Sequence, residues 1–258
     1  MILDKIIEKT KVRVEDLKKH QSFEEVRTAA ESLRAVSPFL FESALKSGDI
    51  SFICEVKKAS PSKGMISEDF PYVDIARAYE RSGASAVSVL TEPYFFLGSD
   101  RYLKEIRKAV HLPILRKDFT VDPYQIYEAK LIGADAVLLI CAVLDTFLLK
   151  EYIKIADSLG LSCLVEAHDK NEVSSAVEAG ARVIGVNNRN LKTFEVDINT
   201  SIRLRELVPE DKIFVSESGI KTAEDIRVLR ENGVHGVLIG ETLMRSGSIP
   251  EELKKLRG

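Results

Sequence analysis

Four stretches of the chain share one pattern: SGASAVSVL (82–90), IGADAVLLI (132–140), AGARVIGV (179–186) and NGVHGVLIG (232–240). In each, a glycine closes an amphipathic stretch and an apolar run follows. Glycine suits the left-handed position that ends a helix, and a run that is apolar on both faces is typical of a parallel strand covered by helices. The repeat length is roughly 50 residues, which fits two βα units rather than one.

This spacing predicts a further strand before each of the four units. The candidates are SFICEVK (51–57), LPILRK (112–117), LSCLVEA (161–167) and KIFVSES (212–218). Strands that alternate strictly with helices indicate a parallel sheet. We therefore predict an α/β fold, a single (β/α)8 (TIM) barrel over residues 49–258. An open doubly wound sheet is the alternative, and the lack of a GxGxxG motif after the first strand weighs against a dinucleotide site there.

Several helices of the barrel carry marked ends. Asp122 and Pro123 suit the cap and first turn of one helix. Thr222 suits the N-cap of another, which ends at Gly233. Residues 1–48 also have a helical pattern, with a break expected at Ser37-Pro38. We interpret them as a helical extension packed onto the barrel, so that residues 1–258 form one domain. The sequence does not indicate which end of the barrel the extension covers.

The composition is that of an ordinary globular protein. The 258 residues are 45% hydrophobic and 30% charged, with 37 basic against 40 acidic side chains. This mixed charge gives no footprint for nucleic acid or a membrane surface, so we expect neither as a partner. The apolar runs are short and the N-terminus lacks a signal-peptide core, which favours a cytoplasmic protein. We expect a monomer.

The cysteines and histidines show no metal-ligand spacing. Cys54, Cys141 and Cys163 lie in apolar runs, and we expect them to act as small buried hydrophobes. The four histidines are scattered along the chain. We therefore predict no metal site and look for chemistry among Lys, Glu, Asn, Ser and Gly.

Ionisable groups end the odd-numbered predicted strands. The two-residue period places Glu55 and Lys57 on one face of the first strand. The third strand ends in Lys117, and the fifth and seventh carry Glu166 and Glu217. Catalytic residues of barrels lie at these strand ends, so we predict an acid–base site. The alternative is a purely structural set of ion pairs, such as Glu55 with Lys117 or Lys57 with Glu166.

The turns after the last two strands indicate a phosphate site. Ser218 and Gly219 follow the seventh strand, and Gly240 and Glu241 follow the eighth. Glycines let backbone N–H groups approach an anion, and barrels often hold a phosphate at these two loops. The alternative is that the glycines merely serve tight turns. We expect the Glu241 side chain to point away from the anion while its backbone N–H contributes.

A third polar element is GVNNRNL after the sixth strand. Asn187 and Arg189 leave the strand end and suit a hydroxyl or a carboxylate. A simple Asn-rich turn is the alternative reading of this segment.

Six segments in this order resemble the indole-3-glycerol-phosphate synthase family, and the resemblance spans the whole chain. The first is the most specific; the six are FICEVKKASPSKGMI (52–66), LPILRKDF (112–119), LVEAHD (164–169), IGVNNRNL (184–191), VSESGI (215–220) and LIGETLM (238–244). The resemblance implies closure and decarboxylation of 1-(2-carboxyphenylamino)-1-deoxyribulose 5-phosphate to indole-3-glycerol phosphate, releasing carbon dioxide and water. It implies a small phosphorylated substrate and no cofactor.

The resemblance also implies roles for the charged residues. Lys117 is the general acid for ring closure, and we expect its neighbours to lower its pKa toward neutrality. Glu166, Glu55 and Lys57 are the candidates for the acid–base pair of dehydration, without an assignment to single steps. Lys57 is also a candidate to bind the anthranilate carboxylate.

The remaining family positions concern binding. The residues that position the substrate and tune charge are Asn187, Arg189 and Glu217. Those around the phosphate or its neighbours are Ser60, Ser218, Gly219, Gly240 and Glu241. Phe96 and Leu138 hold the aromatic ring, although both also suit a plain core. Two positions depart from the family pattern: Leu97 replaces a more usual polar residue, and Glu241 stands where some members have a small hydroxyl residue.

Two other readings compete with this one. Phosphoribosylanthranilate isomerase is a phosphosugar barrel whose internal redox rearrangement usually uses a Cys and an Asp, and the Lys and Glu set argues against it. A catalytically silent barrel that binds a phosphorylated ligand is the rival from another class, and the intact charged strand ends argue against that.

Overall fold

The computed structural model describes residues 2–33, 37–46 and 48–258. Eight parallel strands close into a barrel in which each strand pairs with the next in the chain and the last pairs with the first. They are β1 Ser51–Val56, β2 Ala86–Leu90, β3 Ile114–Lys117, β4 Ala136–Ile140, β5 Ser162–Ala167, β6 Val183–Asn187, β7 Ile213–Glu217 and β8 Gly236–Ile239. The predicted TIM barrel is confirmed, and the open doubly wound sheet is wrong because the sheet has no edge.

Helices follow the strands and cover the outside of the barrel. In chain order they are α1 Ile2–His20, α2 Phe23–Ser32, α3 Leu40–Ala44, α4 Tyr72–Arg81, α5 Asp100–Arg107, α6 Pro123–Leu131, α7 Thr146–Ser158, α8 Lys170–Glu178, α9 Asn199–Arg205, α10 Ala223–Glu231, α11 Glu241–Met244 and α12 Ile249–Arg257. A short antiparallel hairpin, Ala59–Ser60 with Gly64–Met65, follows β1. Among the helices described, none is both long enough and apolar enough to cross a membrane.

The ends of these helices follow the sequence. The four glycines that precede β2, β4, β6 and β8 all have positive φ, as a left-handed helix end requires: Gly83, Gly133, Gly180 and Gly233. Asp122 caps α6, whose first turn contains Pro123. Thr222 caps α10 through the backbone N–H of Asp225, and the Asp225 side chain bonds back to Thr222. These local choices fix where each βα unit turns.

Two apolar layers form the core. Ile53 points into the barrel with Leu115, Leu138 and Leu164. Cys54 belongs to the outer layer between strands and helices, so the alternation predicted for β1 is correct. Cys54 and Cys163 are buried and Cys141 is half-buried; no disulfide joins the described cysteines. The barrel interior is therefore packed below its charged end.

The N-terminal helices contact both ends of the barrel. Phe41 and Leu45 belong to the inner apolar layer, which also contains Val183 and Ile213, the first residues of β6 and β7. The opposite end of the segment, Ile2 to Ile6 in α1, lines a cavity at the carboxyl ends of the strands.

The breaks between these helices are only partly as predicted. Ser37 and Pro38 lie outside the helices, and residues 34–36 lie outside the described part of the chain. A further break before α2 was not expected. There Ser22 caps α2 through the backbone N–H of Glu25, and the Glu25 carboxylate accepts from the Ser22 N–H.

Candidate active site

A cavity of about 550 Å³ opens at the carboxyl ends of the strands. All residues predicted to form the site line it: Glu55, Lys57, Ser60, Phe96, Lys117, Leu138, Glu166, Asn187, Arg189, Glu217, Ser218, Gly219, Gly240 and Glu241. Such concave, largely apolar cavities with a few convergent charges are the usual form of a ligand site. The structure thus brings the predicted set together, whatever the role of each member.

Lys117 is the centre of the charged cluster in this cavity. Its Nζ lies 2.6 Å from Glu217 Oε2 and 3.2 Å from Glu166 Oε2. Lys57 Nζ is 2.5 Å from Glu55 Oε1 on the same strand. The ion pairs proposed from the sequence as a structural alternative, Glu55 with Lys117 and Lys57 with Glu166, are therefore wrong. Odd-numbered strands alternate around the barrel, so β5 and β7 present their carboxylates to β3 across its interior.

The pKa of Lys117 moves in the direction opposite to our expectation. Burial by itself lowers this pKa, but the charges of Glu217 and Glu166 outweigh burial and raise it above the ordinary lysine value. The expectation that the pKa of Lys117 lies near neutrality is wrong, because two carboxylates rather than another cation face its ammonium group. Lys117 is therefore fully protonated at neutral pH.

The two carboxylates bonded to Lys117 have diverging pKa values. Burial raises the pKa of Glu166, but Lys117 and His168 outweigh it and bring that pKa well below the ordinary value. Burial raises the pKa of Glu217 to about 7, in spite of Lys117 and with help from the nearby charge of Glu166. Two carboxyl groups whose environments separate their pKa values are suited to opposite acid–base roles. Near neutral pH Glu166 is ionised, and Glu217 is able to hold a proton.

Gly185 on β6 makes room for Glu217. A Cβ at this position would collide with Glu217 Oε1. Among the described residues no donor reaches that oxygen, which is buried. A buried carboxylate oxygen without a hydrogen-bond donor is costly when charged, and this adds a physical reason for the raised pKa of Glu217.

Asn187 and Arg189 extend the cluster from the end of β6. Asn187 Nδ2 lies 3.4 Å from Glu166 Oε1, and Asn187 Oδ1 accepts the backbone N–H of Arg189 at 3.0 Å. The Arg189 guanidinium lies 3.8 Å from Glu241, the first residue of α11. The Asn187 amide therefore contacts the acid–base cluster, while the Arg189 guanidinium faces the turn after β8.

The turns after β7 and β8 are shaped by close approach. Ser218 and Gly219 both have positive φ, 68° and 84°. A Cβ on Gly240 would lie 2.6 Å from Glu55 Oε1 and 3.0 Å from Lys57 Nζ. Glycine at this position thus lets the backbone of β8 run beside the Glu55–Lys57 pair.

A basic rim surrounds these turns. Glu241 lies 3.4 Å from Lys63, 3.8 Å from Arg189 and 3.5 Å from Arg245. The expectation that its side chain avoids this region is wrong, because its carboxylate is the counter-ion of three cations that line the cavity. We call these cations, Lys63, Arg189 and Arg245, the basic rim.

An apolar wall lies across the cavity from the basic rim. Phe96 and Phe119 have ring centroids 6.0 Å apart, and Leu138 lines the cavity beside them. The loop that carries Phe96 is ordered by Glu92, a buried carboxylate that accepts the backbone N–H groups of Tyr94, Phe95 and Phe96. Leu97, the departure noted in the sequence, occupies a left-handed conformation in this loop with φ 51°.

Several lining residues were missed from the sequence. Lys63 lies inside the FICEVKKASPSKGMI segment and was within reach of that pattern, and Arg245 immediately follows LIGETLM. Ile2, Leu3 and Ile6 come from α1 and are not part of any motif. The amphipathic pattern of α1 predicted a buried face but carried no information about what that face contacts.

A closed parallel barrel with a lysine–glutamate cluster at its catalytic end defines an acid–base enzyme of the TIM-barrel class. Comparison with known proteins gives the family. The family model for indole-3-glycerol phosphate synthase matches residues 3–256, and the chain belongs to that family. Its members are decarboxylating lyases of tryptophan biosynthesis.

Curated relatives agree along their full length. The chain is 71% identical to an indole-3-glycerol phosphate synthase from Ruminiclostridium cellulolyticum, over 100% of this chain and 99% of the relative. It is 60% identical to one from Endomicrobium trichonymphae, over 100% of both. Identity to one from Acetivibrio thermocellus is 48%, over 100% of this chain and 99% of the relative.

Solved structures share the fold at low identity. A chain of the tryptophan synthase a2b2 complex from Pyrococcus furiosus has a TM-score of 0.61 at 17% identity, covering 81% of this chain and 98% of that one. A 3-hexulose-6-phosphate synthase has a TM-score of 0.65 at 14% identity, covering 81% of this chain and 98% of that one. These likenesses concern the barrel alone.

Proposed function

We propose that the cavity closes and decarboxylates 1-(2-carboxyphenylamino)-1-deoxyribulose 5-phosphate to indole-3-glycerol phosphate, with the residues that line it in the roles given below. The observation that carries this proposal is the placement of Lys117 Nζ between Glu166 and Glu217 in an enclosed cavity. A protonated amine held by one ionised and one protonatable carboxyl group suits a reaction that needs acid and base in turn.

The cavity suggests one orientation for the substrate. The phosphate dianion binds the basic rim and the backbone of the turns at Gly219 and Gly240. There it replaces Glu241 in part as the counter-ion of the basic rim. Ser60 and Ser218 lie at the same end. The aromatic ring lies along Phe96 and Leu138, and its carboxylate pairs with Lys57. The ribulose carbonyl then falls near Lys117.

Ring closure is the first chemical step. The ring carbon that bears the carboxylate attacks the ribulose carbonyl, the nitrogen lone pair supplies electron density, and Lys117 donates a proton to the oxygen. Glu166 and Glu217 keep Lys117 charged and oriented until the oxygen becomes basic enough to take the proton. The positive charge of Lys117 thus stabilises the developing negative charge on the oxygen, and the proton is transferred only when that oxygen has become basic.

Decarboxylation and dehydration follow. The bond to the carboxylate breaks, carbon dioxide leaves, and the electron pair neutralises the iminium and restores the aromatic ring. The hydroxyl then departs as water with a proton from the cluster, while Glu166 removes a proton from the carbon next to nitrogen. Glu217 and Lys57 are both placed to supply the acid. The whole sequence takes up one proton and balances without a cofactor.

Three finer features belong to the same proposal. The N-terminal helices and the barrel form one domain, which is supported by α1 and α2 residues Val14, Val26 and Ala30 in the outer core layer. The chain acts as a monomer, and it acts in the cytoplasm. Light scattering of the purified protein tests the second feature.

An indole-fluorescence assay with the purified chain and the carboxyphenylamino-deoxyribulose phosphate tests the proposed function. We expect product to appear with release of one carbon dioxide per indole. A folded protein that yields no indole product would refute the assignment.

A further inference from the structure

A half-buried histidine lies between Glu166 in the cavity and helix α8 on the surface. His168, just after β5, places Nε2 3.3 Å from Glu166 Oε1 and Nδ1 2.9 Å from Glu172 Oε2. Glu172, in the first turn of α8, also accepts the backbone N–H of His168 at 2.7 Å. The imidazole is therefore held between two carboxylates, one in the cavity and one on the helix.

The surroundings of His168 are strongly acidic. Besides Glu166 and Glu172, Asp169 caps α8 immediately after it. Cys141, after β4, is close to the same carboxylates; burial, with Glu172 and Glu166, raises the pKa of this thiol to about 12, so it stays neutral. Burial alone lowers the pKa of His168, but the ion-pair contact with Glu166 and the hydrogen bond with Glu172 raise it to about 10. His168 is an imidazolium at neutral pH.

The positive charge of His168 adds a second cation beside the two carboxylates that share Lys117. Lys117 is bonded to both Glu166 and Glu217, and one ammonium group stabilises two buried carboxylates poorly because they repel each other. His168 contacts only Glu166 of the two. Its charge therefore breaks the symmetry between them and favours ionisation at Glu166 rather than Glu217.

We propose that His168 is a positioning residue for the proposed base: anchored by Glu172, it orients Glu166 and keeps that carboxylate ionised while Glu217 retains a proton. The inference rests on the proposed function for its catalytic consequence. Its electrostatic part stands on the Glu166–His168–Glu172 arrangement alone.

The pH dependence of kcat tests this role. In His168→Gln the Glu166 pKa rises, so the acidic limb of the kcat profile moves upward by about one pH unit or more, equivalent to about a tenfold loss of kcat below that limb. KM changes little, because the phosphate and ring contacts are untouched. Glu172→Gln, which keeps an acceptor for the His168 N–H, shifts the limb in the same direction by less. His111→Gln, at an exposed histidine away from the cavity, leaves the profile unchanged.

A titration that needs no turnover separates the two proposals. NMR of the His168 imidazole in the folded wild-type protein is expected to show a midpoint well above the ordinary histidine value, and Glu172→Gln is expected to lower it. An ordinary midpoint for His168 refutes the inference even if the enzyme is active. So does wild-type turnover combined with an unshifted limb in both variants. Loss of all turnover in the wild type refutes the proposed function instead, and the NMR midpoint still decides the charge of His168.

Discussion

Arg13 on α1 donates from one guanidinium nitrogen to both carboxylate oxygens of Asp118, each at 2.8 Å. Asp118 directly follows Lys117, and it also accepts the hydroxyl of Thr91 and its neighbour's backbone N–H at Phe119. The first helix of the chain is thereby tied to the strand that carries the central lysine. Docking of α1 and placement of Lys117 are mechanically linked.

Arg13→Met tests this link. Removal of one partner of a mostly buried ion pair leaves Asp118 short of a donor, so we expect a loss of about 2 kcal/mol in the free energy of unfolding and a reduced kcat. Lys19→Met is the matched control, since the Lys19–Asp16 pair is exposed to solvent and contributes little to stability. Urea unfolding measures both. Equal stability of the two variants would show that the Arg13–Asp118 ion pair does not stabilise the fold.

Lys117→Ala is expected to remove turnover while leaving substrate binding measurable. A positioned general acid contributes about 10²–10⁴-fold to the rate, so kcat falls at least that far. Lys154→Ala, at an exposed lysine on α7, is the control and retains activity. Single-turnover indole fluorescence and substrate binding by calorimetry give the two readouts. Retained turnover would exclude Lys117 as the acid.

Glu166→Gln and Glu217→Gln are expected to affect stability in opposite ways. The pKa of Glu166 is lowered by folding, so its ionised form stabilises the protein above its ordinary pKa and this contribution is lost as pH falls. The pKa of Glu217 is raised from 4.5 to about 7, so the folded state binds the extra proton and stability declines as pH rises through that window. At about pH 8, Glu166→Gln therefore destabilises by about 1–3 kcal/mol.

Glu217→Gln, in contrast, is at least as stable as the wild type at that pH although it loses activity. Its stability profile also lacks the decline between about pH 4.5 and 7. Chemical denaturation at a series of pH values tests both variants. The same sign of change in the two variants above neutrality would contradict the divergent pKa values.

Gly185→Ala is expected to harm both stability and turnover. Its Cβ collides with the buried Glu217 carboxylate, and such overpacking costs about 1–3 kcal/mol. Gly247→Ala is the control, because a Cβ there meets nothing within 4 Å. Thermal unfolding and kcat are measured on both proteins. Unchanged stability and kcat in Gly185→Ala would mean that the Glu217 carboxylate can adopt another position without cost.

Glu241→Gln is expected to tighten the binding of inorganic phosphate. The wild-type carboxylate competes with an anion for the basic rim, and removal of one such charge near the surface is worth about 1 kcal/mol, or about fivefold in the inhibition constant. Glu178→Gln, at the end of α8, is the control. Weaker inhibition in Glu241→Gln would show that Glu241 organises the site rather than competing in it.

Much of the barrel was predictable because its determinants are local. Gly83 and Gly133 end helices through their backbone conformation, and Asp122 caps the start of one through a side-chain hydrogen bond. The residues next to each helix end are therefore enough to locate it. The two-residue period likewise put Glu55 and Lys57 on the inner face of β1. These rules work at a range of a few residues.

The errors concern relations between distant segments. The partners of Lys117 come from strands about fifty and a hundred positions away, and the sign of its pKa shift depends on angstrom-scale distances to them. Arg13 lies in no motif, and LVEAHD contains His168 without indicating its contacts with Glu166 and Glu172. The sequence therefore predicted which residues gather in the cavity, but it did not predict their ion pairs or the directions of their pKa shifts.

The two-ended contact of the N-terminal helices has a consequence for biosynthesis. Phe41 in α3 and Leu45 just after it share the inner apolar layer with Val183 and Ile213, which begin β6 and β7. Helix α1 finds its partner Asp118 much earlier in synthesis, directly after β3. Until the ribosome has released β6 and β7, the apolar layer around α3 is incomplete, and a nascent chain exposes Phe41 and Leu45 to chaperones for most of translation.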